Sequence, residues 1–431
     1  MKRHVNIVTL GCSKNIVDSE FLMKQLEANN IQVTHDSNST EADTVIINTC
    51  GFIKDAKQES IDTILQFVNV KKQNKINKVI VIGCLSQRYE NVLKHEIQGV
   101  DDYFGTNDIK AVLNSLDLKY KDELHLERLL TTPGHYAYLK ISEGCDRACS
   151  FCAIPLMRGK HKSKSIETIV NEAESLANNG VKELILIAQD LTYYGIDLYS
   201  DQKLPDLLKY LSDIKGIEWI RLHYAYPANF PRDVVKVIRE RENICKYLDI
   251  PFQHINNKVL SQMRRGINKE KTYELIDYLR TEIPEIALRT TLMTGHPGEG
   301  KKEFEELLDF IKRVKFDRLG VFTYSEEEDT YSAENLKDTI PAHTKQKRAD
   351  TIMKAQMVIS KLLNDRKIGI SLKVIVDSKD GDYYICRSEF DSPEVDNEIL
   401  VHKKGINLTV GNFYMAEIVS ADDYDLYGKI S

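Results

Sequence analysis

Cys145, Cys149 and Cys152 form a C-x3-C-x2-C array within GCDRACSFCAIPLMRG, residues 144–159. Thiolates favour zinc and iron–sulfur clusters, and a structural zinc site takes a fourth Cys or His at short spacing. The nearest candidate, His161, lies nine residues past Cys152, outside that spacing. Three thiolates can instead hold a [4Fe–4S] cluster by three of its irons, leaving the fourth open to a small molecule. The array therefore points to a reactive centre, with a closed zinc site as the weaker alternative.

Cys12, Cys50 and Cys84 share no short spacing, yet each closes an apolar run beside a glycine, in TLGC, NTCG and VIGC. If those runs are parallel strands, the three thiols meet at the carboxyl edge, where open α/β sheets bind ligands. That predicts a second three-thiolate site; the plain alternative is three small buried hydrophobes. Cys245 and Cys386 have no partners at a motif spacing and are read as structural.

The elements that must position these residues follow from the pattern. Over 1–125, β-branched runs (VNIVTLGC, DTVIINTCG, KVIVIGC, DYFGT) alternate with helical segments, which predicts an open parallel α/β domain. A linker is expected near residues 126–135. From Tyr136 six β/α units follow in series, with strands in YAYLKISEG, ELILIAQD, WIRLHYAYP, KYLDIPFQH, IALRTTLMTGHPG and RLGVFTYS. They predict a full or partial β/α barrel over 126–367 with its active site at the strand carboxyl ends. The C-x3-C-x2-C loop follows the first of those strands. Residues 368–431 hold short strands between Gly, Asp and Asn turns, predicting a small antiparallel β-barrel.

Composition narrows the class. The 431 residues are 42% hydrophobic and 29% charged, ordinary for a globular chain. No apolar stretch approaches the ~18 residues of a membrane span. The opening MKRHVNIVTLGC reads as a strand and not a secretory leader, so a cytoplasmic protein is expected. Eight cysteines in a chain of this size suit metal or redox chemistry better than a disulfide framework. The formal net charge is −6, and Gly369–Ser431 accounts for all of it, with 12 acidic and 6 basic residues. Such a tail disfavours nucleic acid and favours a basic protein partner; a merely solvated acidic face is the alternative.

The cluster loop after a first barrel strand, with aromatic Phe151 before its last cysteine, resembles the radical S-adenosylmethionine superfamily. With the second cysteine set and the barrel tail, the whole chain resembles the methylthiotransferases. The stretches TLGCSKNIVDSE, NTCGFIKDAKQES, LIAQDLTYYGIDLY, LDIPFQHINNKVLSQMRRG, FDRLGVFTYSEEEDT and FDSPEVDNEIL resemble the branch that modifies a small-subunit ribosomal protein. The tRNA-modifying branch usually has serine after its second N-terminal cysteine, where this chain has Gly51. The resemblance implies two [4Fe–4S] clusters, S-adenosylmethionine, a TRAM-type tail and methylthiolation of an aspartate β-carbon in the twelfth small-subunit protein. It further implies a reductant such as flavodoxin or ferredoxin, with the acceptor free or in the ribosomal particle. A tRNA adenosine methylthiotransferase and a non-catalytic iron–sulfur carrier are the alternatives. His296 stands where the family usually has an aromatic, and Asp329 where it has glycine.

Beyond the cysteines, candidate cofactor residues sit at barrel strand ends: Gln189 and Asp190, Arg221 and His223, Gln253 and His254, and Gly295, Gly298 and Gly300 of TGHPGEG. A helix cap is the alternative for Asp190, a turn for the glycines, and a satisfied structural role for the histidines. Arg158 is expected near the cluster loop, on cofactor or substrate carboxylate. Asp422, Asp423 and Asp425 are candidates to touch a basic partner.

Overall fold

The computed structural model describes residues 3–37 and 42–430. Contacts divide it into two units, residues 1–132 with 138–146 and 153–175, and residues 133–137, 147–152 and 176–431.

The first unit contains a five-stranded parallel sheet of β1 (His4–Thr9), β2 (Gln32–His35), β3 (Thr44–Thr49), β4 (Lys78–Gly83) and β5 (Asp102–Tyr103). Its order is β2-β1-β3-β4-β5. Helices α1 (Ser13–Ala28), α2 (Lys54–Lys72) and α3 (Cys84–Glu96) make the crossovers after β1, β3 and β4. Alternate side chains of one strand serve opposite faces: Ile46 and Ile80 pack with Leu22 and Leu26 of α1. Val45, Ile47, Val79 and Val81 pack with Ile64 and Val68 of α2. Burial on both faces is why these strands read as unbroken apolar runs. The strand order reverses between β1 and β3, which makes their carboxyl ends the topological switch point. DYFGT contributes only the short β5.

The stretch expected as a linker has no regular secondary structure, but it is anchored. Buried Arg128 pairs with Glu20 at 3.1 Å and Glu172 at 3.3 Å, and Thr131 N donates to Glu20. Further along, β7 (Ser142–Glu143) pairs antiparallel with β8 (Lys162–Ser163) at the base of the cluster loop.

A six-stranded sheet runs β13-β12-β11-β10-β9-β6. Its strands are β6 (Tyr136–Lys140), β9 (Glu183–Ile187), β10 (Trp219–Leu222), β11 (Ile244–Asp249), β12 (Ala287–Thr294) and β13 (Arg318–Thr323). Neighbours from β9 to β13 pair parallel, so the β/α series is a partial barrel. The third expected strand is shorter than WIRLHYAYP implies: it ends at Leu222, and Tyr224 turns the chain with φ of 63°.

The tail is a closed barrel in the order β14-β15-β16-β18-β17. These are β14 (Ser371–Asp380), β15 (Tyr383–Ser388), β16 (Ile399–His402), β17 (Phe413–Ala421) and β18 (Leu426–Ile430). It is not wholly antiparallel: β16 and β18 pair parallel, because β17 intervenes before the chain returns beside β16. Residues 389–396 extend from this barrel across the six-stranded sheet. Ser392 Oγ bonds His223 Nε2 at 2.8 Å, Asp396 accepts from Tyr247 Oη at 2.7 Å, and Asp391 pairs with Arg318. The apolar part of this contact joins Trp219, Cys245 and Tyr247 to Ile375, Phe390 and Phe413.

Candidate active site

The first cysteine set is built by strand ends. Cys12 is the N-cap of α1, and its carbonyl accepts from Asn15 N and Ile16 N. Cys50 directly follows β3, and Cys84 opens α3 directly after β4. A Cβ at Gly11, whose φ is 92°, would lie 2.7 Å from Cys50 Cβ and 3.0 Å from its Sγ. Only glycine gives both the left-handed turn and the room for Cys50. Buried polar side chains hold the three ends in register. Asn15 Nδ2 donates to Leu10 O and Thr49 O, Asn48 Nδ2 donates to Asn15 O, and Cys50 N donates to Ser60 Oγ. Exposure falls from Cys12 through Cys50 to buried Cys84, so the site opens on the Cys12 side.

Arg158 was expected to meet cofactor or substrate carboxylate; the fold instead sets it beside this first set. Its Nη2 donates to Asn15 Oδ1 at 2.6 Å, and its Nη1 to Asp18 at 3.1 Å and Glu143 at 3.0 Å. Lys140 pairs with the same two carboxylates. Burial opposes ionisation of Glu143, but Lys140 and Arg158 outweigh it and hold the carboxyl at about 2. Burial pushes Cys50 up and Cys84 to about 11; the other thiolates of the set push the same way and the Arg158 cation opposes them. Helix Ile154–Arg158, which begins two residues past Cys152, packs Met157 and Ala153 with Cys84.

The second set lies on the 144–152 loop. Cys145 N donates to Gly159 O, and Cys152 N to Cys149 O. Arg265 Nη1 donates to Cys149 Sγ at 3.2 Å, and Tyr226 Oη lies 3.8 Å from that sulfur and donates to Arg265 O. Two guanidinium groups lie close to the Tyr226 ring, Arg147 at 4.2 Å and Arg265 at 4.3 Å from its centroid. Arg147 is fixed in turn by Asp190 Oδ2 at 2.7 Å. Asp190 also accepts from Thr192 N and so caps the short turn after β9. His161 Nε2 bonds Ser163 Oγ at 3.0 Å.

His296 clarifies one departure from the family pattern. Its ring meets Phe151 and Tyr324 edge-on, as an aromatic would, and its Nε2 bonds Ser332 Oγ at 3.2 Å and Ser150 Oγ at 3.4 Å. Burial lowers its pKa to about 4, so the ring is neutral. Asp329 has φ of 58°, a conformation glycine meets without strain and Asp tolerates.

Other expected residues divide. Gln189 and Asp190 follow β9; His254 is buried after β11, its Nδ1 accepting from Asn256 N and its Nε2 3.4 Å from Glu299. Glu299 accepts from Gly295 N and pairs with Arg348, which braces the 295–300 loop. Gly295 packs against Lys345 and Gly298 against Gln262. Gln253 takes φ of 69° and is bonded through its backbone to Thr291 and Met293. Arg221 requires correction as a cofactor contact. It is fully buried, its Nε donates to Glu183 at 2.8 Å, and its other nitrogens donate to Glu389 O and Ser388 O. His223 likewise meets Ser392. Asp422 and Asp423 are exposed and Asp425 half-buried.

Among the described residues, no three His, Cys, Asp or Glu side chains are grouped to hold a single metal ion. The donor chemistry does fit iron–sulfur clusters: Cys12, Cys50 and Cys84 end adjacent strands with Arg158 beside Cys84, and the loop thiol of Cys149 accepts from buried Arg265.

Family models match in three blocks: the radical SAM superfamily over 139–311, uncharacterized protein family UPF0004 over 4–105, and the TRAM domain over 368–430. The ribosomal protein uS12 methylthiotransferase RimO of Bacteroides fragilis is 54% identical over 431 residues, covering all of both chains. The Cytophaga hutchinsonii protein of that name is also 54% identical, over all of this chain and 98% of its own. The Porphyromonas gingivalis one is 52% identical, over all of this chain and 99% of its own. The chain belongs to the uS12 methylthiotransferase family. Family membership makes it a radical SAM enzyme, using a [4Fe–4S] cluster and S-adenosylmethionine. Among solved structures, the radical S-adenosylmethionine methyltransferase TsrM of Kitasatospora setae superposes with a TM-score of 0.57, covering 77% of this chain and 74% of its own at 14% identity. The cobalamin-dependent radical enzyme OxsB superposes at 0.51, covering 83% and 58%, also at 14% identity; both likenesses concern the fold alone. Within the family frame Gly51 has a steric basis, since a Cβ there would lie 2.9 Å from Leu85 Cα and N.

The residues that sequence reasoning missed are Arg147, Tyr226, Arg265, Asn15, Asn48 and Ser60. Asn48 carried a signal, as a polar side chain inside the apolar run of β3. Tyr226 and Arg265 carried none, because their role depends on loops brought together from different strands.

Proposed function

We propose that this chain adds a methylthio group to the β-carbon of an aspartate in ribosomal protein uS12. One observation carries the reading: Cys12, Cys50 and Cys84 follow adjacent strands of an open parallel sheet at its switch point, while Cys145, Cys149 and Cys152 share one loop after β6. The acidic tail and the names of the full-length relatives support uS12 over a tRNA acceptor.

On this reading Cys145, Cys149 and Cys152 hold the cluster that acts with S-adenosylmethionine, and Cys12, Cys50 and Cys84 hold a second [4Fe–4S] cluster. When bound, the first would supply the electron for cleavage of S-adenosylmethionine, and the second would supply sulfur. Gln189, Asp190, His254, Gly295 and Gly298 face the S-adenosylmethionine site, with Asp190 and Arg147 setting the shape of its edge. Arg158 places a fixed cation beside the thiols of Cys50 and Cys84. Arg221 is assigned to the joint with the tail.

The division of labour is 1–125 for sulfur, 126–367 for radical chemistry and 368–431 for docking, where Asp422, Asp423 and Asp425 meet a basic partner. A small electron carrier such as flavodoxin or ferredoxin supplies the electrons, and the cytoplasm is the setting. No described helix is long and apolar enough to cross a membrane. The test is the mass of uS12 from cells lacking this chain: it should fall by one sulfur and one methylene, and an unchanged mass contradicts the proposal.

A further inference from the structure

The arginines beside the two sets of thiols are not equivalent. Arg158 is balanced by Asp18 and Glu143. Arg265, at 4% exposure, has its hydrogen bonds on Pro251 O and Cys149 Sγ, neither of them a carboxylate. Its Nε is buried without a hydrogen-bond partner. Asp190 hydrogen-bonds Arg147, not Arg265, and both guanidinium groups lie against the Tyr226 ring. Arg265 therefore keeps its charge directed at the sulfur, in surroundings where water cannot screen it.

We infer that Arg265 is a positioning residue that raises the reduction potential of the cluster held by Cys145, Cys149 and Cys152. This rests on the proposal that those cysteines bind a cluster. The sign follows from electrostatics: reduction adds negative charge, and a buried cation donating to a ligand sulfur stabilises the reduced state. Tyr226 holds Arg265 at two points, its ring against the guanidinium and its hydroxyl donating to the backbone carbonyl Arg265 O. Arg265→Met removes both charge and donor; Arg265→Lys keeps the charge but loses the planar fork.

The test uses the full chain carrying Cys12→Ala, Cys50→Ala and Cys84→Ala, so that only the radical cluster is present, reconstituted anaerobically and titrated by EPR. Arg265→Met should cut the reduced-to-oxidised ratio at fixed poise about tenfold, a shift of roughly 59 mV for a one-electron couple. Arg265→Lys should give a smaller shift in the same direction. With ¹⁵N-arginine labelling, pulsed EPR of the reduced parent cluster should show a ¹⁵N coupling that Arg265→Lys abolishes; this reading stands even where Arg265→Met fails to fold. A loaded Arg265→Met cluster with unchanged potential, or a parent cluster without the ¹⁵N coupling, overturns the inference. A parent that binds no cluster overturns the cysteine assignment instead.

Discussion

Arg158 Nη2 donates to Asn15 Oδ1 across 2.6 Å, joining helix Ile154–Arg158 to the first turn of α1 beside Cys12. The same guanidinium answers Asp18 and Glu143, so one buried cation organises the cysteine set at the switch point. Arg158→Gln should destabilise the protein by about 1.5–3 kcal/mol, because it removes one of the two cations that Asp18 and Glu143 share and leaves only Lys140. Chemical denaturation of the metal-free protein measures this; a loss below ~1 kcal/mol would mean the network is dispensable.

Gly11→Ala drives a methyl group into Cys50 and imposes a left-handed backbone on alanine, a strain of roughly 1–3 kcal/mol. The effect should be local. Iron and sulfide analysis should show about half the cluster content lost, while reductive cleavage of S-adenosylmethionine survives, since that is assigned to the other cysteine set.

Glu183 holds Arg221 and Arg387 together at the joint between the six-stranded sheet and the tail barrel. Two buried arginines depend on it, so Glu183→Ala should cost about 3–5 kcal/mol. Limited proteolysis should then cut near residues 389–396, where the parent resists.

His296 gives a pH signature. Burial holds its folded pKa at about 4 against an ordinary 6.5, so between those values the unfolded chain binds a proton that the folded one refuses. Its contribution is complete above pH 6.5 and is lost as pH falls toward 4. His296→Phe should remove that slope while keeping the edge-on contact with Phe151, at about 1 kcal/mol for the lost hydrogen bonds. Denaturation midpoints of the two proteins at pH 7 and pH 5 make the comparison; equal slopes would contradict it.

Much of this architecture was legible in the residues. Strands buried on both faces show as β-branched runs, and a Gly–Cys pair at each run's end located the first cysteine set. Elements defined by long-range pairing were not legible. Nothing local in FDSPEVDNEIL marks Asp391, Ser392 and Asp396 as partners of Arg318, His223 and Tyr247. The parallel pairing of β16 with β18 depends on closure of the barrel, not on any turn. Arg221 was placed toward a ligand because it lies near a strand end, but its side chain meets the tail. Arg158 followed the cluster loop in sequence and was assigned there, yet its short helix carries it to α1.

The most direct test incubates uS12, S-adenosylmethionine and a reductant anaerobically with the parent chain or with the Cys12→Ala, Cys50→Ala, Cys84→Ala variant. The parent should release 5′-deoxyadenosine and raise the mass of uS12 by one sulfur and one methylene. The variant should still release 5′-deoxyadenosine and leave the mass of uS12 unchanged. Methylthiolated uS12 from the variant would contradict the assignment of sulfur delivery to the switch-point cysteines.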